Sequence, residues 1–296
     1  MTVNLAAAIA DRGARVLVVD AAEGGNELAD MAGVARDVEH CAADVMSGKC
    51  GVADAVVDGP MGLRVLANRG RGGARSDREF RTSASSAGAR NSPAGGESSR
   101  TGQQRLLSSI DSMSDEIDLV VVDAGCGLTA WTRRFWLRAQ CVVLVTTADD
   151  ASVMDAYAAM KASSASGIRP VIRLLVNREI NGAAAEDAQR RVQNACRKFL
   201  SLSIDALPAL PLHDGDFIAG ANNRGPRVWE EPNSAFARAT LWLGRAVGEV
   251  LAGDARKPSE TFGREIVRGL ETRAQQLIVP NPVEMFMQAA DRVATY

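Results

Sequence analysis

Asp118-Leu-Val-Val-Val-Asp123, followed at once by Ala124-Gly125-Cys126-Gly127, is the stretch from which the fold can be read. Its four central residues are all apolar and three are β-branched, without the alternation of a half-exposed strand. Such a run reads as a parallel strand covered on both faces. Arg15-Val-Leu-Val-Val-Asp20 repeats the pattern upstream, and Cys141-Val-Val-Leu-Val-Thr-Thr147 and Val171-Ile-Arg-Leu-Leu-Val-Asn177 repeat it downstream. Between the last two, Ser152 to Ser164 has helical periodicity. Before the first, Thr2 to Asp11 places Val3, Leu5, Ala6, Ile9 and Ala10 on one helical face, with Gly13 as a stop. Strand and helix therefore alternate, which predicts an α/β fold: a doubly wound, mostly parallel sheet with helices on both faces.

The 296 residues suffice for one large domain with a substantial core. Against 36 acidic side chains stand 34 basic ones, a net charge of −2, which leaves no overall footprint for a phosphate backbone, so nucleic acid is not the expected partner. No run of about 18 apolar residues occurs, and the N-terminal residues lack the pattern of a secretory leader. A soluble, cytoplasmic protein is expected. The five cysteines (41, 50, 126, 141 and 196) are widely spaced with no CxxC pair, and there are two histidines. Neither a disulfide framework nor a zinc site is indicated. Only four of the basic residues are lysines, at 49, 161, 198 and 257.

Residues 69–105 interrupt the pattern. They are rich in Gly, Ser and Ala, and hold eight arginines against three acids. A disordered insertion is predicted, read as a solvated loop rather than a binding arm. The domain reading is a nucleotide-binding-type body over 1–253 and a helical extension over 254–296. In the extension, Ser259 to Val279 and the stretch after Pro280 carry amphipathic stripes of mixed charge, suited to docking on protein rather than entering a membrane.

Strands ending in Asp20 and Asp123, with Gly125 and Gly127 just beyond the second, are what a phosphate-binding edge of a parallel sheet needs. A carboxylate there can hold the hydration shell of Mg²⁺ or position a water, and glycine lets backbone approach a γ-phosphate. A strand-terminal Asp before glycine is also an ordinary capped βα turn, and spacing alone does not separate the two.

The order of the pieces resembles the MinD/ParA family of deviant P-loop ATPases, and within it the flagellar-number regulators called FlhG, FleN or YlxH. Val3-Asn4-Leu5-Ala6 is similar to the family's VNLA helix, and Val18-Val19-Asp20-Ala21 to its strand ending DAD. Val122-Asp123-Ala124-Gly125-Cys126-Gly127 is similar to its VDxGxG switch, and Thr146-Thr147-Ala148-Asp149 to its TTPE. The helix from Asp155 to Lys161 matches DAYAxxK, which points to the flagellar branch. Val176-Asn177-Arg178 resembles VNR, and Pro211-Leu212-His213-Asp214, Gly225-Pro226 and Pro232-Asn233-Ser234 resemble the closing PxD, GxP and PxS elements. The resemblance covers nearly all of residues 2–251 outside the insertion.

That resemblance implies ATP and Mg²⁺ as ligands. It places Asp123 in the switch near the attacking water, touching Mg²⁺ indirectly through water, and Asp20 beside the phosphates. It makes Gly125 and Gly127 the mobile points of the switch. It assigns Asn177 to the adenine edge with Arg178 flanking the base, and Pro211 through Asp214 to the closure of the adenine pocket. Arg178 also reads as a surface arginine at a strand end, and Asn177 as the Asn of a βα turn. Further implications are an ATP-dependent homodimer, a signal-recognition-type flagellar GTPase as partner, and peripheral contact with the inner face of the cell membrane.

Two departures stand out. Aligned on VNLA, the family's phosphate loop GKGGxGKT falls just upstream of Met1, and no lysine precedes Lys49. Without loop amides and lysine, tight ATP binding is not expected. The first central strand, which precedes that loop in the family, is missing with it, implying a gap in the sheet and two open edges. The arginine-rich, lysine-poor composition fits a GC-rich genome and a start assigned to an internal methionine, and a native chain carrying the loop is the expectation. The second departure is Ala22, which stands where the family has the second Asp of DAD, so hydrolysis is expected to be slow or lost. The alternatives are a non-hydrolysing scaffold or regulator and, third, a partition-type ATPase that grips DNA through residues 69–105.

Overall fold

The computed structural model describes residues 1–22, 27–68, 93–165, 171–213 and 225–254. In chain order its elements are α1 (Thr2–Ala10), β1 (Val16–Asp20), α2 (Glu27–Met31), α3 (Ala42–Ser47), α4 (Val52–Ala55), β2 (Val56–Asp58) and, after a 3₁₀ turn, β3 (Leu63–Leu66). There follow α5 (Pro93–Asp111), β4 (Leu119–Asp123), α6 (Ala130–Trp136), β5 (Cys141–Thr146), α7 (Asp150–Ala165), β6 (Val171–Val176) and α8 (Gly182–Leu200). The last are β7 (Asp205–Ala206), α9 (Arg227–Glu230) and α10 (Ala235–Asp254).

The strands form two sheets, β2-β3-β1-β4 and β5-β6-β7. Every pairing is parallel except that of β2 with β3 at one edge. The β-branched runs thus become the parallel, doubly covered strands that their composition predicts. Along β1, Val16 and Val18 pack with Val3, Leu5 and Ile9 of α1 and Leu243 and Val247 of α10. The intervening Leu17 and Val19 pack on the other face with Leu106, Leu107 and Ile110 of α5 and Trp131 and Phe135 of α6.

The same two faces run on into the second sheet. Val121 of β4, Val143 of β5 and Leu175 of β6 all join the cluster under α1 and α10. On the opposite face Leu144, Ile172, Leu174 and Val176 pack against Val153, Ala156 and Met160 of α7 and Ala188, Val192 and Cys196 of α8. The two sheets are therefore halves of one layer. Between them, where the missing strand is expected, lies a cavity of about 990 Å³ walled by both β4 and β5. All five residues of β1 are buried, whereas all five of β4 are only half-buried.

The predicted insertion is shorter than its composition suggests. Residues 93–105, expected to be disordered, open the helix α5. Leu106, Leu107 and Ile110 anchor its second half in the core, at 1%, 4% and 5% exposure. Once tertiary packing supplies a helical nucleus, extending it residue by residue costs little even through poor helix formers. Gly102 fits this position for a steric reason, since a Cβ there would come within 3.0 Å of the Met46 carbonyl oxygen. The expectations for residues 69–92 and for the extension beyond Asp254 lie outside the described residues.

Among the described residues no helix is long and apolar enough to cross a membrane.

Candidate functional site

β1 and β4 run side by side in register, so their last residues, Asp20 and Asp123, are direct neighbours at the carboxyl edge of the sheet. Asp20 is 3% exposed, and its Oδ1 accepts the Ala22 amide at 3.2 Å. Asp123 is half-buried. Its Oδ2 accepts the Thr2 hydroxyl at 2.8 Å and its Oδ1 accepts the Gly125 amide at 3.1 Å. The backbone then turns outward through Gly125 and Gly127, whose φ angles of 70° and 76° lie where a side chain would be strained. Gly125, Cys126 and Gly127 are exposed.

Asp123, Gly125, Gly127 and Asn177 share the walls of the central cavity. Asn177 follows β6 and is held there by its amide, which donates to the Thr146 carbonyl at 2.8 Å. Asp20 ends the strand next to this group. Arg178 and Pro211 are not among the cavity walls. Arg178 is exposed, with φ at 59°, and turns the chain away from β6. Pro211 lies across from Glu179 in a parallel bridge, secured by Glu179 N to Leu210 O and Leu212 N to Glu179 O, each 2.8 Å. His213 stacks on Phe236 of α10 with ring centroids 5.5 Å apart, which pins this segment to the body. Asp214 lies outside the described residues.

Several polar groups at this edge escape a reading of the sequence. Thr2 was part of a helix start, yet its hydroxyl holds Asp123. The Trp131 indole donates to the Ala21 carbonyl at 3.2 Å, and the Asn68 amide donates to the Ala22 carbonyl at 2.6 Å, so the segment after β1 is tied to α6 and to the end of β3. Asp149 caps α7 by accepting the Ser152 amide at 2.9 Å, and it also accepts the Thr147 hydroxyl. Those hydrogen bonds, the one from Thr147 foremost, pull the Asp149 carboxyl down to about 2. The Asp149 cap is local, three residues from Ser152, but no spacing rule announces the contacts of Thr2, Asn68 and Trp131, because each joins residues that only the fold brings together.

No protein-family model matches the chain. In sequence it is 25% identical over 211 residues to the antiactivator FleN of Pseudomonas aeruginosa, an alignment spanning 71% of this chain and 68% of that protein. It is 46% identical over 48 residues, 16% of each chain, to the flagellum site-determining protein YlxH of Helicobacter pylori. In structure it matches the cell division ATPase MinD of Pyrococcus furiosus with a TM-score of 0.60, at 21% identity over 84% of this chain and 92% of that one. MinD of Pyrococcus horikoshii in complex with Mg-ADP gives 0.61 at 20% identity, covering 86% and 92%. A ParA family ATPase of Chlorobium tepidum gives 0.59 at 14% identity, covering 82% and 90%.

The chain has the MinD/ParA-type fold and is similar in sequence to two flagellar regulators. Within that fold, the motifs quoted from the sequence divide by role. Asn4 of the VNLA helix is 7% exposed, and its Oδ1 accepts the Val228 amide at 2.9 Å, which fastens α9 to α1. It is architecture rather than chemistry. The Asp20, Asp123 and Thr2 oxygens, by contrast, form a set of hard donors of the kind that holds a hydrated Mg²⁺. Among the described residues no group of three or more His, Cys, Asp or Glu side chains is placed to grip a metal directly. A water-mediated ion fits this donor set. A triphosphate fits it poorly, because the described cavity walls contain no lysine side chain and Arg138 precedes β5 at the far end of the strands.

Proposed function

We propose that this chain is the body of a MinD-type nucleotide switch that regulates flagellar number or placement. The observation that carries the reading is the grouping of Asp123, Gly125, Gly127 and Asn177 around one cavity, with Asp20 beside Asp123. In this reading Asp123 orients the attacking water and contacts Mg²⁺ through its hydration shell. Gly125 and Gly127 let the switch segment move with the state of the nucleotide. Asn177 reads the adenine edge, with Arg178, Pro211 and Asp214 on the base's outer side. The triphosphate grip belongs to a phosphate loop that these residues do not include. ATP and Mg²⁺ would then favour a homodimer, and slow hydrolysis would time its contact with a flagellar GTPase or with the inner face of the membrane. The relatives FleN and YlxH, an antiactivator and a site-determining protein of the flagellum, support the flagellar assignment.

Two features favour a second reading, a non-hydrolysing scaffold. One is Ala22 at the position of a switch carboxylate, and the other is the cavity wall without lysine. Sedimentation of the chain, alone and extended by its in-frame upstream codons, with and without Mg-ATP, separates the two. An ATP-driven dimer and a raised melting temperature support the switch. A monomer that Mg-ATP does not protect from heat, in both versions, leaves the scaffold.

A further inference from the structure

We propose that a shallow cleft at the end of α1 remote from Asp123 docks an extended, arginine-bearing segment of a partner protein. The inference is independent of whether nucleotide binds, because the cleft lies away from the carboxyl edge of the sheet.

Its place follows from α1. Thr2 opens that helix against Asp123, and Asp11 ends it about 13 Å along the axis. Around Asp11 lie Pro60 and Met61 of the turn between β2 and β3, Pro226 and Trp229 at α9, and Leu241 of α10, enclosing about 400 Å³. The remaining charged wall residue among those described is Glu230, and no cation lines the cleft.

The walls are set before a guest arrives. The Asn4 side chain accepts the amide of Val228, a wall residue that is 1% exposed, at 2.9 Å. Pro60, Pro226 and Pro232 of the walls have fixed φ angles. Such a surface has little freedom to lose on binding. Met61 stands out from this frame. Its φ of 55° suits glycine better than a residue with a side chain, yet that side chain is held 62% exposed. A flexible thioether at the mouth of an apolar cleft can pack against guests of varied shape.

The chemistry of the walls selects the guest. An aliphatic side chain would leave two carboxylates facing an apolar group, and an acidic one would be repelled. Arginine has an apolar stem to lie along Pro60, Met61 and Leu241, a flat cation that stacks on an indole such as that of Trp229, and donors for the carboxylates of Asp11 and Glu230. Arg227 Nη1 stands 3.4 Å from Glu230 and from Glu231, so one guanidinium is shared by two carboxylates and the rim stays acidic. Asp11 is exposed and enters no ion pair among the described residues. The volume lies at the small end of the range of about 300–1,000 Å³ for ligand clefts, which suits one such side chain and its neighbours rather than a helix. An extended segment containing proline presents that side chain with the least loss of freedom, and it suits walls of proline and tryptophan.

The probe is a capped Leu-Pro-Arg-Pro peptide, added to the full chain and followed by nuclear magnetic resonance of the methionine methyl and tryptophan indole signals. The expected result is a saturable shift of Met61 and Trp229. The same peptide with citrulline, which is uncharged, in place of arginine should bind at least about fivefold more weakly. So should the parent peptide to the Asp11→Asn, Glu230→Gln double variant, in which both changes fall on exposed residues. Met61→Gly should weaken binding while leaving the melting temperature unchanged or higher, because it relieves the backbone as it removes the side chain. Absence of a saturable shift overturns the proposal, as does equal binding by the citrulline peptide or by the double variant. Shifts of Met61 and Trp229 that grow with protein concentration without peptide also overturn it, because the guest is then a second copy of this chain. The same signals moving when the arginines from Arg69 to Arg90 are replaced by serine would overturn it too, the guest then being this chain's own segment.

Discussion

β1 and β4 are nearly the same strand in composition, Val-Leu-Val-Val-Asp against Leu-Val-Val-Val-Asp, and they lie side by side in register. Yet β1 is buried throughout, whereas every residue of β4 is half-exposed to the cavity. The difference teaches that a continuous apolar run specifies a strand meant for the middle of a parallel sheet, but does not say whether both neighbours are present. Burial is a property of the whole layer. The energetic value of each valine follows from its neighbours rather than from its own side chain.

The sharpest way to break this comparison is to place the same charge on both strands. Val18→Asp puts a carboxylate at a position with 0% exposure between α1 and α10. With no partner for the charge, the cost of several kcal/mol should leave no folded protein. Val121→Asp faces the same helices but borders the cavity, where water can reach it. It should cost about 2 kcal/mol and leave a cooperative transition. Urea melts followed by circular dichroism decide the matter. Equal damage in both variants would mean that the edge of β4 is as dry as the middle of the sheet.

Much of this layer is legible in the sequence, because strand composition and helical period are local properties. The runs at 15–20, 118–123, 141–147 and 171–177 became β1, β4, β5 and β6, and α1 and α7 fall where their periodicity places them. The gap, implied by a family pattern with one strand too few, is present as the cavity. What composition hid was α5, whose first turns are Gly, Ser and Arg and whose helical state is imposed by three apolar residues downstream. Of the candidate site, the carboxylates and glycines were readable as words in a strand-loop pattern. Thr2, Asn68 and Trp131 were not, because their partners lie between 46 and 121 positions away in the chain.

A second test sharpens the comparison at the ends of the two strands. The Ala21 carbonyl accepts the buried indole of Trp131, while the Asp123 carboxylate at the end of β4 accepts a hydroxyl and an amide from a half-open edge. Trp131→Phe keeps an aromatic ring against Phe135, whose centroid is 4.5 Å away, and removes the donor. Leaving a buried carbonyl without that partner should cost about 1–2 kcal/mol. Thr2→Val removes a donor from a carboxylate that keeps the Gly125 amide and reaches the cavity, and should cost less than Trp131→Phe. The two denaturation midpoints, measured side by side, would reverse in order if the β4 edge were the more tightly closed.

The smallest effect should come from the end of β5, across the cavity. Asp149 caps α7, and Thr147 and Ser152 hold its carboxyl at about 2, below the range of about 3.9 for an unfolded aspartate. A carboxyl whose folded value is depressed stabilises the fold fully above its unfolded value, and the contribution disappears as pH falls through the folded one. Asp149→Ala should therefore lower the melting temperature slightly at pH 7, with Asp149→Asn falling in between because an amide still caps. On acidification from about pH 5 towards pH 2 the gap between parent and Ala variant should shrink. Since the carboxylate is exposed, salt should narrow the gap as well. A gap that stays constant over that range would show that the cap works through its neutral geometry. The open side of the layer would then owe nothing to charge at this corner.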